Sequence, residues 1–367
     1  MQVIVLGGGL MGTSTAFFLA RRGVKVRLIE RGYIGTGATV ASFGNIRRTG
    51  RNLNQLPLAA RSLALWNQSQ ELLGRDVEFR ATGHLRLIFD AEARSDMQTF
   101  AEAARPWGFD IDQLEPAEIQ RRFPGLGPSA IAASFSPRDG SANPRLVSPA
   151  FADAAAHHGA EIFSQAGVPE IRKTEAGFDV TTAQGRFSAD ILVNCAGGWG
   201  PAIAEQFDEP VPLAIRGPQM GVTEPLPHRI LPVVGMWARD GGAYLRQVER
   251  GNVVFGGGVP QVDVPEGGFA HYDPAGLTRQ LTKLVRLCPA LADTTIIRHW
   301  SGTEGYVSDK LPIMGASGTT AGLFHAFGFC GHGFQLGPGV GDTMAELIAT
   351  GASETPIDYM SITRFSA

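Results

Sequence analysis

The sequence lacks two features that would point away from an ordinary globular protein: a long apolar run and a surplus of basic charge. No apolar stretch approaches the length of about 20 residues that a membrane-spanning helix needs. The first apolar stretch, residues 3–6, passes directly into glycines and has no basic segment before it, unlike a secretory signal. The 32 basic residues are balanced by 35 acidic ones, and we therefore expect no nucleic-acid partner.

Cysteine is also scarce. The chain has three, Cys195, Cys288 and Cys330, at spacings that match no metal site. An odd number of widely separated cysteines is typical of reduced thiols in a cytoplasmic protein. We therefore expect a cytoplasmic protein with neither a disulfide framework nor a metal centre.

Glycine, in contrast, is abundant. The chain has 47 glycines in 367 residues, whereas average usage is about 7%. They cluster in turns beside apolar runs, which is typical of places where the backbone approaches a ligand closely. A chain of this length is expected to form more than one domain.

The first thirty residues predict a β-α-β unit. Residues 3–6 form a short apolar run that suits a strand buried on both faces of a parallel sheet. Residues 13–22 are typical of a helix, and residues 24–29 alternate like a second strand that ends at Glu30.

The turn between this strand and this helix has the spacing Gly7-x-Gly9-x-x-Gly12, in the context that makes a dinucleotide-binding motif meaningful. Its glycines permit a tight turn, close approach of a pyrophosphate, and close packing of helix on strand. Glu30 is placed to accept hydrogen bonds from ribose hydroxyls and disfavours a 2′-phosphate. The turn alone leaves NAD and FAD open. The residues expected to hold the dinucleotide here are Gly7, Gly9, Leu10, Met11, Gly12, Glu30 and Arg31.

Three further segments decide between these cofactors: Cys-Ala-Gly-Gly-Trp at 195–199, Gly-Thr-Glu-Gly-Tyr at 302–306 with Leu-Pro-Ile-Met-Gly at 311–315, and Gly-Phe-Cys-Gly-His-Gly-Phe-Gln at 328–335. Together with the N-terminal turn, they resemble the D-amino-acid oxidase-like family of FAD enzymes, which includes glycine and sarcosine oxidases. The resemblance covers essentially the whole chain. It implies non-covalent FAD, since residues 302–306 contain no cysteine where covalent sarcosine oxidases attach their flavin.

The pattern and the resemblance together predict an α/β fold, α+β overall. We expect a Rossmann-like FAD-binding domain from residues 1–78, 139–211 and 301–367, interleaved with a mixed-sheet substrate domain from residues 79–138 and 212–300. We also expect a helix to begin near residues 337–339 and to point its N-terminus at the flavin. The further residues expected to contact FAD are Thr39, Ser42, Gly44, Asn45, Val168, Ala196, Gly197, Trp199, Gly302, Gly331, His332, Gly333, Phe334 and Gln335.

The arginine-rich loop at residues 42–51 is similar to that of the beta subunits of opine oxidases and D-hydroxyproline dehydrogenases, which usually work within hetero-oligomers. A substrate carboxylate needs a bidentate partner, and Arg47, Arg51 and Arg246 are the candidates; each could instead be a surface or phosphate-neutralising charge. Tyr244 shares a strand face with Arg246 and could contact substrate or pack in the core. Glu304 could bind the substrate amine or be a solvent-facing turn residue.

These features predict an FAD-dependent dehydrogenase that oxidises a carboxylate-bearing secondary amine or imino acid of the opine, D-hydroxyproline or N-alkyl glycine type. Hydride would pass to flavin N5, and the imine would hydrolyse in water. The dehydrogenase is favoured because the only lysines after position 173, Lys283 and Lys310, are not expected over the flavin, where monomeric sarcosine oxidases use a lysine to activate oxygen. The alternatives are an oxygen-using glycine or D-amino-acid oxidase, a non-catalytic flavoprotein subunit, and an NAD dehydrogenase.

Overall fold

The computed structural model describes residues 1–227, 230–239, 241–264, 270–271 and 273–365. This part of the chain contains both helices and strands. Its α-helices are α1 Leu10–Arg21, α2 Ala38–Ala41, α3 Leu56–Asn67, α4 Ser69–Leu73, α5 Ala91–Ala104, α6 Pro116–Arg122, α7 Pro144–His157, α8 Gly200–Glu205, α9 Pro274–Leu287 and α10 Gly333–Thr350. Its strands are β1 Gln2–Leu6, β2 Lys25–Ile29, β3 Asn45–Ile46, β4 His84–Ile88, β5 Asp112–Leu114, β6 Ala132–Ser136, β7 Gly140–Ser141, β8 Glu161–Phe163, β9 Glu170–Thr174, β10 Gly177–Thr182, β11 Gly185–Ala189, β12 Ile191–Asn194, β13 Leu213–Gly217, β14 Gln219–Pro225, β15 Val233–Met236, β16 Ala243–Gln247, β17 Asn252–Gly257, β18 Val262–Asp263, β19 Ile296–Ser301, β20 Glu304–Val307, β21 Ile313–Ala316 and β22 Leu323–Phe327.

A six-stranded sheet in the order β21-β22-β12-β1-β2-β8 is parallel except for β21. The apolar residues of β1 explain its central position, because Val3 to Leu6 are all buried and such a strand needs cover on both faces. The β-α-β unit predicted from the first thirty residues is confirmed by β1, α1 and β2.

An eight-stranded sheet in the order β19-β14-β17-β16-β15-β4-β6-β5 is antiparallel except where β15 pairs with β4. In β4, Leu85 and Leu87 are fully buried in an apolar core. Residues two apart lie on the same face of a strand, so His84 and Arg86 share the opposite face. The α/β class predicted from the sequence is confirmed by these mixed sheets.

Helices α1 and α10 pack closely because glycines bring their backbones together. A Cβ at Gly337 would collide with Leu10, and one at Gly341 would lie 2.5 Å from Ser14 Oγ. The Ser14 hydroxyl donates to the Gly337 carbonyl at 3.0 Å. A Cβ at Gly333 would lie 2.9 Å from Met11 Cε. The first turns of the two helices are therefore neighbours.

The expected start of α10 near residues 337–339 is wrong: the helix begins at Gly333 and continues through Pro338. Proline has no N–H to donate to the Phe334 carbonyl and disrupts the helical ladder. Helix α3 supplies partners for the next pair of backbone groups, the Gln335 carbonyl and the Gly339 amide. The Gln335 carbonyl accepts hydrogen bonds from Ser62 Oγ at 2.6 Å and from Trp66 Nε1 at 2.8 Å. The Gly339 amide, which would otherwise bond to Gln335, donates to Ser62 Oγ at 3.1 Å.

The two sheets fall on different parts of the sequence. The six-stranded sheet uses residues 2–6, 25–29, 161–163, 191–194, 313–316 and 323–327, and the strands of the eight-stranded sheet lie within residues 84–136 and 219–301. The division into two interleaved domains stays a prediction. No helix in the described part of the chain is long and apolar enough to cross a membrane.

Candidate active site

A cavity of about 1350 Å³ extends from the Gly7–Gly12 turn to the strands of the eight-stranded sheet. Typical small-molecule sites occupy about 300–1,000 Å³, so this volume suits a large cofactor together with a substrate. We call the part beside the turn the nucleotide end and the part beside Arg47, Arg51 and Tyr244 the substrate end.

The nucleotide end is formed by the turn before α1. Gly7 has φ +109°, which favours glycine, and a Cβ there would collide with the Cys195 carbonyl. A Cβ at Gly9 would have nothing nearer than Thr39 Oγ1 at 3.6 Å, so Gly9 presents open backbone to the cavity. The Leu10 amide donates to Thr39 Oγ1 at 3.0 Å, and the first turn of α1 offers further amides. This turn fits a pyrophosphate.

Glu30 and Arg31 lie at the end of β2 and line the same end of the cavity. The Glu30 carboxylate accepts hydrogen bonds from the Gly8 amide at 2.6 Å and the Gly32 amide at 2.7 Å. These bonds fix its position, and its remaining lone pairs can still accept from a ligand. The Arg31 guanidinium lies 3.8 Å from the ring centre of Trp199. A ribose contact by Glu30 stays a prediction.

Of the residues expected to contact the cofactor, Gly12 and Gly44 do not line the cavity. A Cβ at Gly12 would collide with the Gly7 carbonyl, and one at Gly44, whose φ is +84°, would collide with the Ala142 carbonyl. Both glycines therefore serve packing behind the wall. The predicted residues that do line it are Gly7, Gly9, Leu10, Met11, Glu30, Arg31, Thr39, Ser42, Asn45, Val168, Ala196, Gly197, Trp199, Gly302, Gly331, His332, Gly333, Phe334 and Gln335.

Three arginines line the substrate end: Arg47 and Arg51 from the predicted loop, and Arg86 from β4. Arg51 is 5% exposed. Its Nε donates to the Arg47 carbonyl at 2.8 Å and its Nη2 to the His332 carbonyl at 3.2 Å. Its Nη1 is buried and has no hydrogen-bond partner among the described residues. The loop thus holds the buried guanidinium of Arg51, whose Nη1 is available to donate to a ligand.

None of these three arginines forms an ion pair within the described ranges. The nearby acid, Asp139, is fully buried and bonds to Arg48 instead of these arginines. It accepts hydrogen bonds from the backbone amide and from the Nε of Arg48, each at 2.9 Å. Burial and the Arg47 guanidinium lower the pKa of Arg51 to about 9. They also hold the pKa of Arg86 well below its ordinary value. The substrate end is therefore rich in uncompensated positive charge, which an anion would relieve.

His84 was not anticipated from the sequence, and neither was Arg86. Both line the cavity from the shared face of β4. Burial, Arg47 and Arg86 hold the pKa of His84 well below its ordinary value, so its ring is neutral at neutral pH. The alternation of residues 84–88 predicts that His84 and Arg86 share one face of a strand. Nothing in the sequence indicates that this face meets the arginine loop.

Glu304 lines the cavity beside the N-terminus of α10. Its Oε1 accepts from the Gly331 amide at 2.7 Å, and its Oε2 accepts from the Tyr306 hydroxyl at 3.0 Å. Burial raises the pKa of Glu304 despite these two hydrogen bonds. It is therefore not a freely solvated turn residue, and it can exchange a proton or a hydrogen bond with a ligand.

Arg246 and Tyr244 share β16 but have different surroundings. Tyr244 lines the cavity and packs edge-on against Phe43 with ring centres 4.7 Å apart. Arg246 does not line the cavity: its Nε donates to the Phe43 carbonyl at 2.8 Å, and it is 8% exposed. The expectation that Arg246 reaches substrate is corrected, because its guanidinium is used to hold the backbone of the arginine loop.

Lys310 bears on the expected choice between a dehydrogenase and an oxidase. It lines the cavity, has φ +58°, and is close enough for its charge to help lower the pKa of His332, after burial, Arg51 and Arg47. Because Lys310 lies on the cavity wall, the positions of the lysines no longer favour a dehydrogenase over an oxidase.

A family model described as "DAO: FAD dependent oxidoreductase" matches residues 2–347. The chain belongs to this family. It is 26% identical over 372 residues to the glycine oxidase of Geobacillus kaustophilus, covering 99% of this chain and 97% of that protein. It is 27% identical to the sarcosine oxidase subunit beta of Rhodobacter capsulatus, covering 98% of this chain and 87% of that protein.

Among solved structures, the crystal structure of L-proline dehydrogenase from P. horikoshii superposes with a TM-score of 0.91 at 29% identity, covering 100% of this chain and 97% of that one. Several other relatives are longer, and the chain spans 41–44% of their length. The family resemblance predicted from the sequence motifs is thereby confirmed.

FAD is the cofactor of this family, so the predicted FAD is confirmed, and non-covalent binding is its usual mode. The cavity fits it: the nucleotide end offers the glycine turn and the first turn of α1, and the first turn of α10 lies beside them. Residues at the junction of the two ends, from Gly331 to Gln335, line the cavity where the flavin ring would be held.

Proposed function

We propose that this protein is an FAD-dependent dehydrogenase that oxidises a carboxylate-bearing secondary amine or imino acid, of the opine, D-hydroxyproline or N-alkyl glycine type. The observation that carries the proposal is Arg51, a buried guanidinium on the cavity wall with an unpartnered Nη1 among the described residues. A carboxylate is the natural ligand for such a group, because two parallel N–H···O bonds match its geometry.

When bound, FAD supplies the two-electron acceptor for the C–H bond beside the substrate nitrogen. The work of the protein is then to hold that carbon in place. In the proposed arrangement, Arg51 binds the carboxylate, and Glu304 accepts a hydrogen bond from the amine. Tyr244 and Phe43 wall the substrate end with aromatic surface. Because the pKa of Glu304 is raised by burial, it can also take up a proton that the amine releases.

The choice of a dehydrogenase over an oxidase is part of the proposal. The overall likeness to L-proline dehydrogenase favours it, whereas the likeness to a glycine oxidase and the position of Lys310 support the oxidase. The likeness to a sarcosine oxidase subunit beta supports a hetero-oligomeric partner that would take up electrons. Three buried, unpaired cysteines support a cytoplasmic location.

Anaerobic titration of the holoprotein tests the proposal. We expect secondary amines with a carboxylate to bleach the flavin absorbance, and we expect colour to return slowly in air but quickly with an artificial acceptor. Rapid reoxidation with one equivalent of peroxide would establish the oxidase instead. A protein that keeps FAD but is bleached by no amine, alone or with its partner, would be a non-catalytic subunit.

A further inference from the structure

The substrate end holds more positive charge than one carboxylate can neutralise. Arg47, Arg51 and Arg86 all line it, and within the described part of the chain none of them has a carboxylate partner. Burying an unpaired charge is costly. One substrate carboxylate on Arg51 would leave two guanidiniums without an anion.

The guanidiniums of Arg47 and Arg86 both lie close to Gly50 of the arginine loop. A Cβ at Gly50, whose φ is +70°, would collide with Arg86 Nη1 and would lie 3.5 Å from Arg47 Nη1. Within the described residues, Arg47 donates to the Thr49 carbonyl and Arg86 donates to the Met236 carbonyl at 3.2 Å. Each guanidinium has five donors, so both retain N–H groups for a ligand.

The position of the Arg86 guanidinium is also fixed before any ligand binds. Its guanidinium lies 3.9 Å from the ring centre of Trp237, which is 9% exposed. Stacking of this kind leaves the edge of a guanidinium plane free for in-plane hydrogen bonds. On the same face of β4, His84 is 2% exposed and its Nδ1 has no partner in the described structure. The wall around Gly50 is therefore a built, polar surface with unused hydrogen-bonding capacity.

We infer that Arg86 and Arg47 form a second anion subsite, which is separate from Arg51. This subsite binds a second carboxylate of the substrate. The inference rests on the proposed function and narrows it to secondary amines and imino acids that carry two carboxylates. It makes Arg86 the residue that selects such substrates against amines with one carboxylate.

Binding of two unreactive ethers tests the subsite without catalysis. 2,2′-Oxydiacetate and methoxyacetate differ by one carboxylate, and neither has an oxidisable amine. Titration of the oxidised holoprotein, followed by the flavin absorbance change, should give a dissociation constant about tenfold or more lower for oxydiacetate, as expected for hydrogen bonds between charged groups. Equal constants for the two ethers would overturn the inference.

Arg86→Met should abolish this preference, because it should raise the dissociation constant of oxydiacetate far more than that of methoxyacetate. The matched control is Arg286→Met: Arg286 stacks on Phe89 at 4.1 Å much as Arg86 stacks on Trp237, but it lies outside the cavity wall. FAD content and melting temperature show whether Arg86→Met is folded. If it is not, Arg86→Lys, which keeps the charge but not the planar pair of donors, should retain an intermediate preference. An unchanged preference in either folded variant would overturn the assignment.

Flavin bleaching by N-methylglycine and N-(carboxymethyl)glycine separates the two proposals. If only the dicarboxylate bleaches the flavin efficiently, both stand. If both amines bleach it equally well, the proposed function stands and the second subsite is wrong. If neither amine nor any other secondary amine bleaches it while oxydiacetate still binds preferentially, the subsite stands and the amine dehydrogenase is wrong.

Discussion

At the nucleotide end of the cavity the wall is mostly backbone: Gly7, Gly9 and the first turn of α1 present amides, and their positions are set by residues within one short segment. At the substrate end the wall is made of long side chains from separate elements. Arg47 and Arg51 come from the loop beside β3, Arg86 from β4 and Tyr244 from β16.

The two ends also differ in how they tolerate change. At the nucleotide end an added side chain is damaging, because it either collides with backbone or occupies space that the ligand needs. A side-chain wall fails when a charged group is removed, and the fold around it can remain intact. Loss of fold, loss of cofactor and loss of substrate affinity can be measured separately, so the two ends can be tested independently.

The largest effect is expected from Gly12→Ala. The added Cβ would collide with the Gly7 carbonyl, which is backbone and cannot rotate away, so the cost should reach or exceed about 3 kcal/mol. We expect little folded holoprotein. Gly9→Ala is the matched variant in the same turn: its Cβ would lie 3.6 Å from the nearest protein atom. It should keep the melting temperature of the apoprotein and lose FAD affinity, measured by flavin fluorescence. Unchanged FAD affinity would mean that no phosphate approaches Gly9.

Arg51→Met should act on substrate alone. Loss of charged hydrogen bonds should raise KM about tenfold to a hundredfold, with FAD content unchanged. Arg246→Met is the matched control, because the two arginines are almost equally buried. It leaves the Phe43 carbonyl without its donor, so it should lower the free energy of unfolding by about 1–3 kcal/mol and leave KM near the wild-type value. If KM instead rose with Arg246→Met and not with Arg51→Met, the two roles would have to be exchanged.

The nucleotide end could be predicted from sequence because its determinants are contiguous. A strand, three spaced glycines, a helix and Glu30 follow one another within thirty residues, and local geometry fixes their relation. The choice of FAD over NAD depended on the motifs at residues 195–199 and 328–335. Those motifs are informative only through their resemblance to a known family.

The substrate end could be predicted only in part. Arg47 and Arg51 belong to a recognisable loop, but Arg86 and His84 reach it from a strand whose sequence does not say what its polar face meets. Arg246 was placed wrongly for a related reason: sharing a strand with Tyr244 does not determine whether a side chain meets the cavity or the Phe43 carbonyl. The start of α10 was misplaced because Ser62 and Trp66, which satisfy the groups around Pro338, are far away in the sequence.

The support that α3 gives to α10 can be tested by Ser62→Ala. The variant leaves the Gly339 amide buried without its acceptor, although Trp66 still donates to the Gln335 carbonyl. We expect the free energy of unfolding to fall by about 1–2 kcal/mol, with a smaller effect on FAD affinity. Ser134→Ala is the control, because its buried hydroxyl has no partner in the described structure; it should be neutral or slightly stabilising. Equal losses in both variants would argue against this role of Ser62.

The smallest effect is expected from Glu304→Gln, which should change how the free energy of unfolding depends on pH. Burial raises the pKa of this carboxyl in the folded protein, so its contribution to stability is present below the unfolded pKa and is lost as pH rises through the folded pKa. Glu304→Gln should therefore gain stability relative to wild type as pH rises, measured by urea unfolding of the apoprotein. Glu346→Gln is the control of opposite sign: despite burial, hydrogen bonds from Arg61 and Ser353 lower the pKa of Glu346, so its stabilising contribution is lost as pH falls. The same trend in both variants would contradict a raised pKa of Glu304 in the folded protein.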